Sequence, residues 1–459
     1  MIPRGIEGYR SLFSDYTELR FQENRAVNIV LVDGEVLGNN RSEASGVSAR
    51  VYRGGSWGFA SHPDLAAESV KAVVQAAADN ARFMDSRLKK GAGPLPREPG
   101  RAEMDFSTKK PRLDQKGLME FLKDLDAEIV RGCPGLTSRT VALSCLDMEK
   151  SFIGSDGSLS YSMVPRAIIY VTMAMERDGV PYDLYDVYGG RGQFEDVFQD
   201  PAALHPRLAV QREDLAGKAA GVHAEAGQKE CILDSDLAGV LAHEAVGHTT
   251  EADIVRGGSI AGERLDTEVA SPLVTMVDFA YEALGSTCPV PVRVDDEGTQ
   301  ARDALLIERG VLRGFMHNKE SAVHFHARPT GNARAYRFSD EPLIRMRNTA
   351  ILPGEGDLGE MIASIDDGYY LKRFNNGQAD STSEFMFGIV LGYEIKGGRL
   401  GRGIRDTTIS GVAFEMLKTV SMVSRDMHWS CSGMCGKKQS IPVGMGGPAI
   451  KCRVSMGGR

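Results

Sequence analysis

The first part of the chain opens with segments in which apolar and polar residues alternate, the two-residue period of a half-buried β-strand. These segments are Tyr16–Gln22, Ala26–Val32, Gly46–Arg53 and Ser56–Ser61. Asp33-Gly34 and Gly54-Gly55 stand between alternating segments, and such pairs are typical of tight hairpin turns. The pattern therefore predicts an antiparallel sheet near the start of the chain.

The apolar period then becomes that of amphipathic helices, which the sequence predicts over Leu65–Met84, Asp114–Arg131 and Pro201–Gly221. Further alternating strands lie between the second and third helices, with turn residues at Ser155-Asp156-Gly157 and Asp178-Gly179. The predicted strands there are Ser138–Glu149, Leu159–Val164 and Ala167–Glu176. Grouped strands and helices indicate an α+β fold, because a parallel sheet would need strands and helices to alternate.

The second half of the chain begins with a short predicted strand, Glu230–Leu233, and one helix, and it then becomes glycine-rich and mostly β. Hairpin turns are predicted at Arg293–Thr299, Glu308–Leu312 and Lys396–Leu400. We therefore expect two domains: an N-terminal domain of antiparallel sheet plus helices at residues 1–222, and a β-rich C-terminal domain at residues 223–459.

Composition narrows the class of protein. Of 459 residues, 42% are hydrophobic and 25% are charged, as in ordinary globular proteins. A net charge of −8 argues against a nucleic-acid partner, and no apolar stretch is long enough to span a membrane. The first twenty residues resemble no secretory signal, and the odd count of seven cysteines favours reduced thiols. We therefore expect a cytoplasmic protein.

One helix of the second half carries candidate chemistry. Either Asp234 or Asp236 can cap this helix, which bears His243, Glu244 and His248. Zincins use two histidines to bind a metal and the intervening glutamate to polarise a water molecule. The alternative interpretation is that both histidines are hydrogen-bonded core residues of an apolar helix.

The spacing of the two histidines differs from that of zincins. Zincin histidines are four residues apart, whereas His243 and His248 are five apart. On a regular α-helix, five steps would leave the two rings ~140° apart, too far round to bind one ion. A shared metal therefore requires a widened, π-type turn, which we predict between Ala245 and His248, with Gly247 as a permissive position.

Further residues favour a metal site over a dry core. Glu251 and Asp253 follow the helix, and carboxylates are poor residues for an apolar core. A catalytic zinc ion also needs a third protein ligand and one open position. From the residues alone, Cys431, Cys435 and the nearby His428 are candidates for that ligand, although buried free thiols are the commoner fate of cysteines.

Six ordered segments give the chain a resemblance to the TldD/PmbA family, whose members were once labelled modulators of DNA gyrase. The histidine motif HEAVGH marks it as similar to the TldD branch, because the PmbA/TldE branch lacks that motif. The segments are Gly46–Ser61, His243–His248 with the following Thr250–Asp253, Thr330–Arg337, Arg345–Gly356, Phe374–Gly388 and Gly433–Ile450.

The resemblance implies a zinc metallopeptidase that acts on peptides in an enclosed cavity of a dimer. The dimer would be a homodimer or a heterodimer with a PmbA/TldE-like subunit. By position, the resemblance implies His243, His248 and Cys435 as zinc ligands and Glu244 as the catalytic residue. A role for His428 or Cys431 at the same metal stays open.

Other patterns give weaker hypotheses. His324 and His326 resemble a ligand pair on one face of a strand. Four arginines are interpreted as a solvated or cavity-lining surface able to bind peptide carboxylates: Arg334, Arg337, Arg345 and Arg347. No glycine pattern has the context of a nucleotide site, and no G-x-S-x-G motif is present. The alternative function is a non-catalytic binding or scaffold partner of a TldD/PmbA-type complex.

Overall fold

The first half of the chain forms one seven-stranded sheet in the computed structural model, which describes residues 2–457. The strands follow the order β3-β2-β1-β5-β6-β4, with β7 also paired to β6, and only the β4–β6 pairing is parallel. The strands are β1 (Tyr16–Val32), β2 (Glu35–Arg53), β3 (Ser56–His62), β4 (Arg101–Asp105), β5 (Ser138–Gly154), β6 (Leu159–Arg177) and β7 (Val180–Arg191).

Amphipathic helices cover this sheet with their apolar faces and complete two apolar cores. The helices are α1 (Ala67–Leu88), α2 (Gln115–Gly132), α3 (Phe194–Val197) and α4 (His205–Ala219), with 3₁₀ turns at Glu7–Leu12 and Pro201–Leu204. The three long helices confirm the predicted ones, except that the third opens as a 3₁₀ turn and starts its α-helix at His205. Asp114 caps α2 by accepting a hydrogen bond from the Gly117 amide.

The predicted turns of this half are confirmed. Asp33-Gly34 joins β1 to β2, and both residues have positive φ, which the short turn between right-twisted strands requires. Asp178-Gly179 joins β6 to β7 in the same way. The two predicted segments Tyr16–Gln22 and Ala26–Val32 are a single continuous strand, β1.

The second half is built on an eleven-stranded sheet. β24 pairs with β8 as well as with β20, so the path β24-β20-β18-β17-β8 closes on itself. The strands are β8 (Gly227–Leu233), β9 (Met276–Phe279), β10 (Glu282–Ala283), β11 (Ser286–Thr287), β12 (Ala304–Glu308), β13 (Val311–Leu312), β14 (Ala333–Arg334), β15 (Leu343–Ile344), β16 (Asn348–Ile351), β17 (Asp367–Ala379), β18 (Glu384–Lys396), β19 (Arg399–Ile404), β20 (Thr407–Val412), β21 (Met422–Ser430), β22 (Met434–Cys435), β23 (Ile441–Pro442) and β24 (Gly444–Met456). Three minor pairs lie outside that sheet: β10–β11, β14–β15 and β22–β23.

Short helices connect these strands, and one of them lies against the centre of the sheet. The helices are α5 (Ser235–Leu241), α6 (Ala252–Arg256), α7 (Lys319–His324), α8 (Leu358–Ala363) and α9 (Ala413–Lys418). α5 packs against the glycine-rich start of β24, where a Cβ on Gly239 would lie only 3.0 Å from the backbone nitrogen of Gly446. The absence of a side chain at Gly239 therefore permits the close approach of helix and strand.

The second half confirms the predicted β-rich α+β fold, with one local correction. Hairpins are present between β12 and β13 and between β18 and β19. The predicted hairpin at Arg293–Thr299 is instead a loop with an isolated Val294–Gln300 bridge. There the Asp295 carboxylate accepts hydrogen bonds from the amides of Glu297 and Thr299, and these contacts fold the loop without a ladder.

The two halves meet through buried ion pairs. Arg50 of β2, which also pairs with Glu18 of β1, contacts Glu297 of the second half. Lys319 at the start of α7 contacts Asp156 of the first half, 3.0 Å away. The largest apolar core belongs wholly to the second half, and the core beneath α1 belongs wholly to the first. On this basis we retain, as a proposal, the domain division at residues 1–222 and 223–459. Within residues 2–457, no helix has the length and apolarity needed to cross a membrane.

Candidate metal centre

The helix that carries the histidine motif changes its winding along its length. α5 begins after Asp234, whose carboxylate accepts a hydrogen bond from the Ser235 amide, so Asp234 rather than Asp236 is the cap. The chain continues as a π-helix over Ala242–Gly247 and as a 3₁₀ turn over His248–Thr250. The motif therefore lies in the irregular part of the helix, as its five-residue spacing requires.

The widened turn brings the two histidines together. The His248 amide donates its hydrogen bond to the His243 carbonyl, five residues back, and the two ring centroids are 5.2 Å apart. This confirms the predicted π-type turn, which begins earlier than Ala245. A Cβ at Gly247 would collide with Met346 Sδ, so glycine is needed here for packing, while its φ of −56° is ordinary.

A strand from the end of the chain supplies a sulfur to the same place. Cys435 lies on β22, opposite Ile441 of β23, and its Sγ is 3.4 Å from His248 Nε2. One ligand atom from each of His243, His248 and Cys435 can be chosen so that all three lie within 4.8 Å of one another. Among residues 2–457, these side chains are the single such group of three or more histidine, cysteine or acidic residues.

The side chain of His243 tests whether a metal fits the group. His243 is 1% exposed, and neither of its ring nitrogens has a hydrogen-bond partner among the described residues. Burying an imidazole without partners costs free energy, whereas a metal ligand needs a nitrogen free of hydrogen bonds. Two imidazole nitrogens and one thiolate sulfur are also donors of the kinds that zinc binds. These residues therefore fit a zinc ion.

The surroundings of the group favour a deprotonated Cys435 beside a protonated His248. Burial raises the pKa of Cys435, but the neighbouring His243 and His248 outweigh this and lower it to about 3. Burial lowers the pKa of His248, but hydrogen bonds with Cys435 and Glu251 outweigh this and raise it to about 10. The environment therefore favours the thiolate, which is the form of cysteine that binds metals.

Glu244 lies beside the two rings. Its carboxylate oxygens are 4.0 Å from His243 Nε2 and 3.8 Å from His248 Nε2, and its side chain is 33% exposed. These distances exceed hydrogen-bonding range. Glu244 is therefore close to the candidate ligands, remains in contact with solvent, and is available to act on a water molecule.

Two residues to which the sequence analysis assigned no role lie next to the candidate ligands. Glu251 is fully buried, and its Oε2 lies 3.0 Å from His248 Nδ1, so the carboxylate orients the ring. Lys437 Nζ lies 3.1 Å from the same Glu251 oxygen. Glu251 had a usable sequence signal, since an acidic residue three positions after a helical histidine is within reach of its ring.

The other proposed soft ligands lie elsewhere. The His428 side chain is 64% exposed, and its Nε2 lies 3.6 Å from Asp236 Oδ1. Cys431 is partly buried near Gly190, and its carbonyl accepts a hydrogen bond from Arg166. Neither residue belongs to the group of three.

One further interpretation of the sequence is wrong, and a second is confirmed only in part. His324 ends α7 rather than lying on a strand with His326, because Asn318 and Ser321 form a capping box that starts a helix at Lys319. Of the four arginines interpreted as solvated or cavity-lining, Arg334 lines a cavity. Three of the four are at most 5% exposed and so are not solvated: Arg334, Arg345 and Arg347. Their guanidinium groups bind backbone carbonyls, and that of Arg345 lies 2.6 Å from the carbonyl of Cys435. Arg337 is exposed, as predicted.

Fold and site together define an α+β protein with a candidate metal centre in its β-rich half. A family model described as PmbA/TldA metallopeptidase C-terminal domain matches residues 226–458, and one described as PmbA/TldA metallopeptidase domain 1 matches residues 17–81. The chain belongs to the PmbA/TldD metallopeptidase family, which confirms the resemblance seen in its motifs.

Individual relatives agree with this membership. The chain is 30% identical to a metalloprotease of Methanothermobacter thermautotrophicus, over 97% of this chain and 95% of that protein. It is 33% identical to a zinc metalloprotease TldD homolog of Saccharolobus solfataricus, over 57% of this chain and 58% of that protein. The crystal structure of TldE from Thermococcus kodakarensis has the same fold, with a TM-score of 0.75 at 18% identity over 98% of both chains.

Proposed function

We propose that this chain is a zinc-dependent peptidase in which His243, His248 and Cys435 hold the metal and Glu244 is the catalytic acid–base. One observation carries the proposal: the three donors converge, and the buried His243 has no other described partner for either ring nitrogen. The S. solfataricus relative is named a zinc metalloprotease, and this name supports the choice of zinc.

The proposed mechanism divides the work between the metal and the glutamate. When bound, a zinc ion supplies Lewis acidity: it polarises a substrate carbonyl and makes a neighbouring water molecule more acidic. Glu244 accepts a proton from the attacking water and passes it to the amine that leaves. Its position beside the ligands, 3.8 Å from His248 Nε2, supports this role. Glu251 holds His248 in one orientation by accepting a hydrogen bond at Nδ1.

We infer that the substrates are unstructured peptides and that the site lies in an enclosed cavity of a dimer. The partner is a second copy or a PmbA/TldE-like subunit, and the shared fold with a TldE supports this expectation. Residues Glu35–Ser45 of β2 pair with β1 on one side, and no strand of the described chain pairs with their other side. Such an edge is suited to pairing between chains. Light scattering that gives a monomer at micromolar concentration would contradict the dimer.

We also propose a cytoplasmic location, since the seven cysteines are all free thiols and the cytoplasm keeps thiols reduced. The second candidate function is a scaffold that binds a peptidase partner without catalysis. The position of the partly exposed Glu244 supports the enzyme, because a scaffold has no use for a carboxylate beside two candidate ligands.

The test is Glu244→Gln, which keeps the shape of the side chain and removes the base. We expect zinc to remain bound while hydrolysis of a fluorogenic unstructured peptide falls by about 10²-fold or more. Glu263→Gln is the matched control, because Glu263 is exposed on a short 3₁₀ turn and does not belong to the group of three candidate ligands. Wild-type hydrolysis by Glu244→Gln would remove the mechanism and favour the scaffold.

A further inference from the structure

The segment that carries Cys435 also carries a largely buried lysine with a complete set of partners. Lys437 Nζ lies 3.1 Å from Glu251 Oε2, 2.8 Å from the Asp253 carboxylate and 2.9 Å from the Ile344 carbonyl. An ammonium group has three N–H donors, so each has one acceptor. The side chain is only 13% exposed. Such a lysine is held in one position rather than moving in solvent.

The first of these acceptors connects Lys437 to a candidate zinc ligand. Glu251 Oε2 is shared between Lys437 Nζ and His248 Nδ1, at 3.1 and 3.0 Å. Glu251 is fully buried, and a polar group removed from water is stabilised by the hydrogen bonds that it makes. Lys437 donates such a bond to the oxygen that contacts the His248 ring, so it helps to hold that oxygen in place.

These contacts form a closed circuit that joins the two segments carrying His248 and Cys435. It runs from His248 through Glu251 to Lys437, then along two residues of backbone to Cys435, whose sulfur lies 3.4 Å from His248 Nε2. Arg345 holds the same loop from its other side through the carbonyls of Cys435 and Gln439. Both ligating segments are therefore fixed relative to each other by protein contacts.

We propose that Lys437 is a positioning residue: through Glu251 it locks the Cys435 loop to the His248 turn and so preorganises the metal site. The inference rests on the proposed function, since it assumes that His248 and Cys435 bind the metal. The resulting ligands need no rearrangement before binding, which raises affinity and slows release of the ion.

The neighbouring residue provides a matched control. Lys438 has the same side chain and charge and follows Lys437 directly, but it is exposed. Replacing either lysine by methionine removes one positive charge from the same loop. Only the replacement at Lys437 removes the contact with Glu251, so the pair separates positioning from a general effect of charge near the metal.

The experiment measures zinc affinity by competition with a chromophoric chelator, for the full-length wild-type protein and its variants. We expect Lys437→Met to weaken zinc binding by about 10- to 100-fold, the usual effect of losing a partner of a ligating histidine, and Lys438→Met to leave it unchanged. Lys437→Arg should recover part of the loss, because it restores a positive donor to Glu251. Thermal unfolding of each metal-free variant separates lost affinity from lost folding.

A second variant tests the same chain of contacts where Lys437→Met folds poorly. Glu251→Gln keeps the side-chain shape, removes the charge between Lys437 and His248, and should weaken zinc binding in the same range. The double variant with both substitutions should bind zinc with the same affinity as the single variant that binds it more weakly. The two substitutions are not additive, because both interrupt the same series of contacts. Wild-type affinity in folded Lys437→Met, or an equal loss in Lys438→Met, overturns this inference alone. A wild-type protein with no zinc affinity overturns the proposed function and this inference with it.

Discussion

Acidification should destabilise the half of the protein that holds the candidate metal centre, and His317 should account for much of the effect. His317 is 4% exposed and lies against the Phe315 and Phe325 rings. It directly follows Met316, whose amide and carbonyl bind the chain at Thr250 and Ala252, just after the histidine motif. Burial lowers the pKa of His317 to about 4, from an ordinary value of 6.5.

The sign of the pH effect follows from these two values. As the pH falls from 6.5 to about 4, His317 is protonated in the unfolded chain but stays neutral in the folded protein. The free energy of unfolding therefore decreases over this pH range. Above pH 6.5 this contribution to stability is fully present. At about 1.4 kcal/mol for each pKa unit, the difference amounts to about 3 kcal/mol.

The assay is urea unfolding of the wild type and of His317→Asn at several pH values across this window. Asparagine retains a polar group near Ser321, which contacts His317 Nδ1, but it does not titrate. The variant should lose about 3 kcal/mol less stability on acidification than the wild type does. His324→Asn is the control, because His324 is exposed, and it should behave as the wild type. Parallel pH profiles for the wild type and His317→Asn would refute the reasoning.

Two further substitutions test the packing around the site. Asp278→Ala should destabilise the protein by about 3–5 kcal/mol in urea unfolding, because it leaves the fully buried Arg347 without its carboxylate partner. A wild-type unfolding midpoint would show that the pair is not needed. Gly247→Val should cost about 1–3 kcal/mol, since its side chain must displace the buried Met346. Gly93→Val has open space around its Cβ and serves as the control in thermal unfolding; equal melting temperatures for both variants would contradict the packing argument.

Local signals in the sequence predicted much of the fold. The helices and hairpin turns of the first half follow from apolar periodicity and from pairs such as Asp33-Gly34, which act over a few residues. Predictions failed where a side chain hydrogen-bonds to the backbone and stabilises a local structure other than the one that the sequence pattern predicts. Asp295 folds a predicted hairpin into a loop, and the Asn318 capping box converts a predicted strand into α7.

The candidate site was predictable only in part. The wide turn between His243 and His248 follows from helix geometry and their spacing. The residues alone leave Cys435 as one of three candidates for the third ligand, and the family resemblance selects it. The role of Lys437 depends on contacts across more than 180 residues of chain, which no local pattern records. Arg345 is fully buried although arginines are ordinarily solvated, and its burial is explained by the backbone carbonyls that it binds.

We propose above that three side chains from two distant segments bind one metal ion, and the zinc content of the purified protein tests this most directly. It is compared with the zinc contents of Cys435→Ser and Cys431→Ser. We expect about one zinc per chain for the wild type and for Cys431→Ser, and a sharp loss for Cys435→Ser, because the Cys435 sulfur that it removes lies 3.4 Å from His248 Nε2. Equal zinc content in the two variants, or none in the wild type, would contradict this proposal.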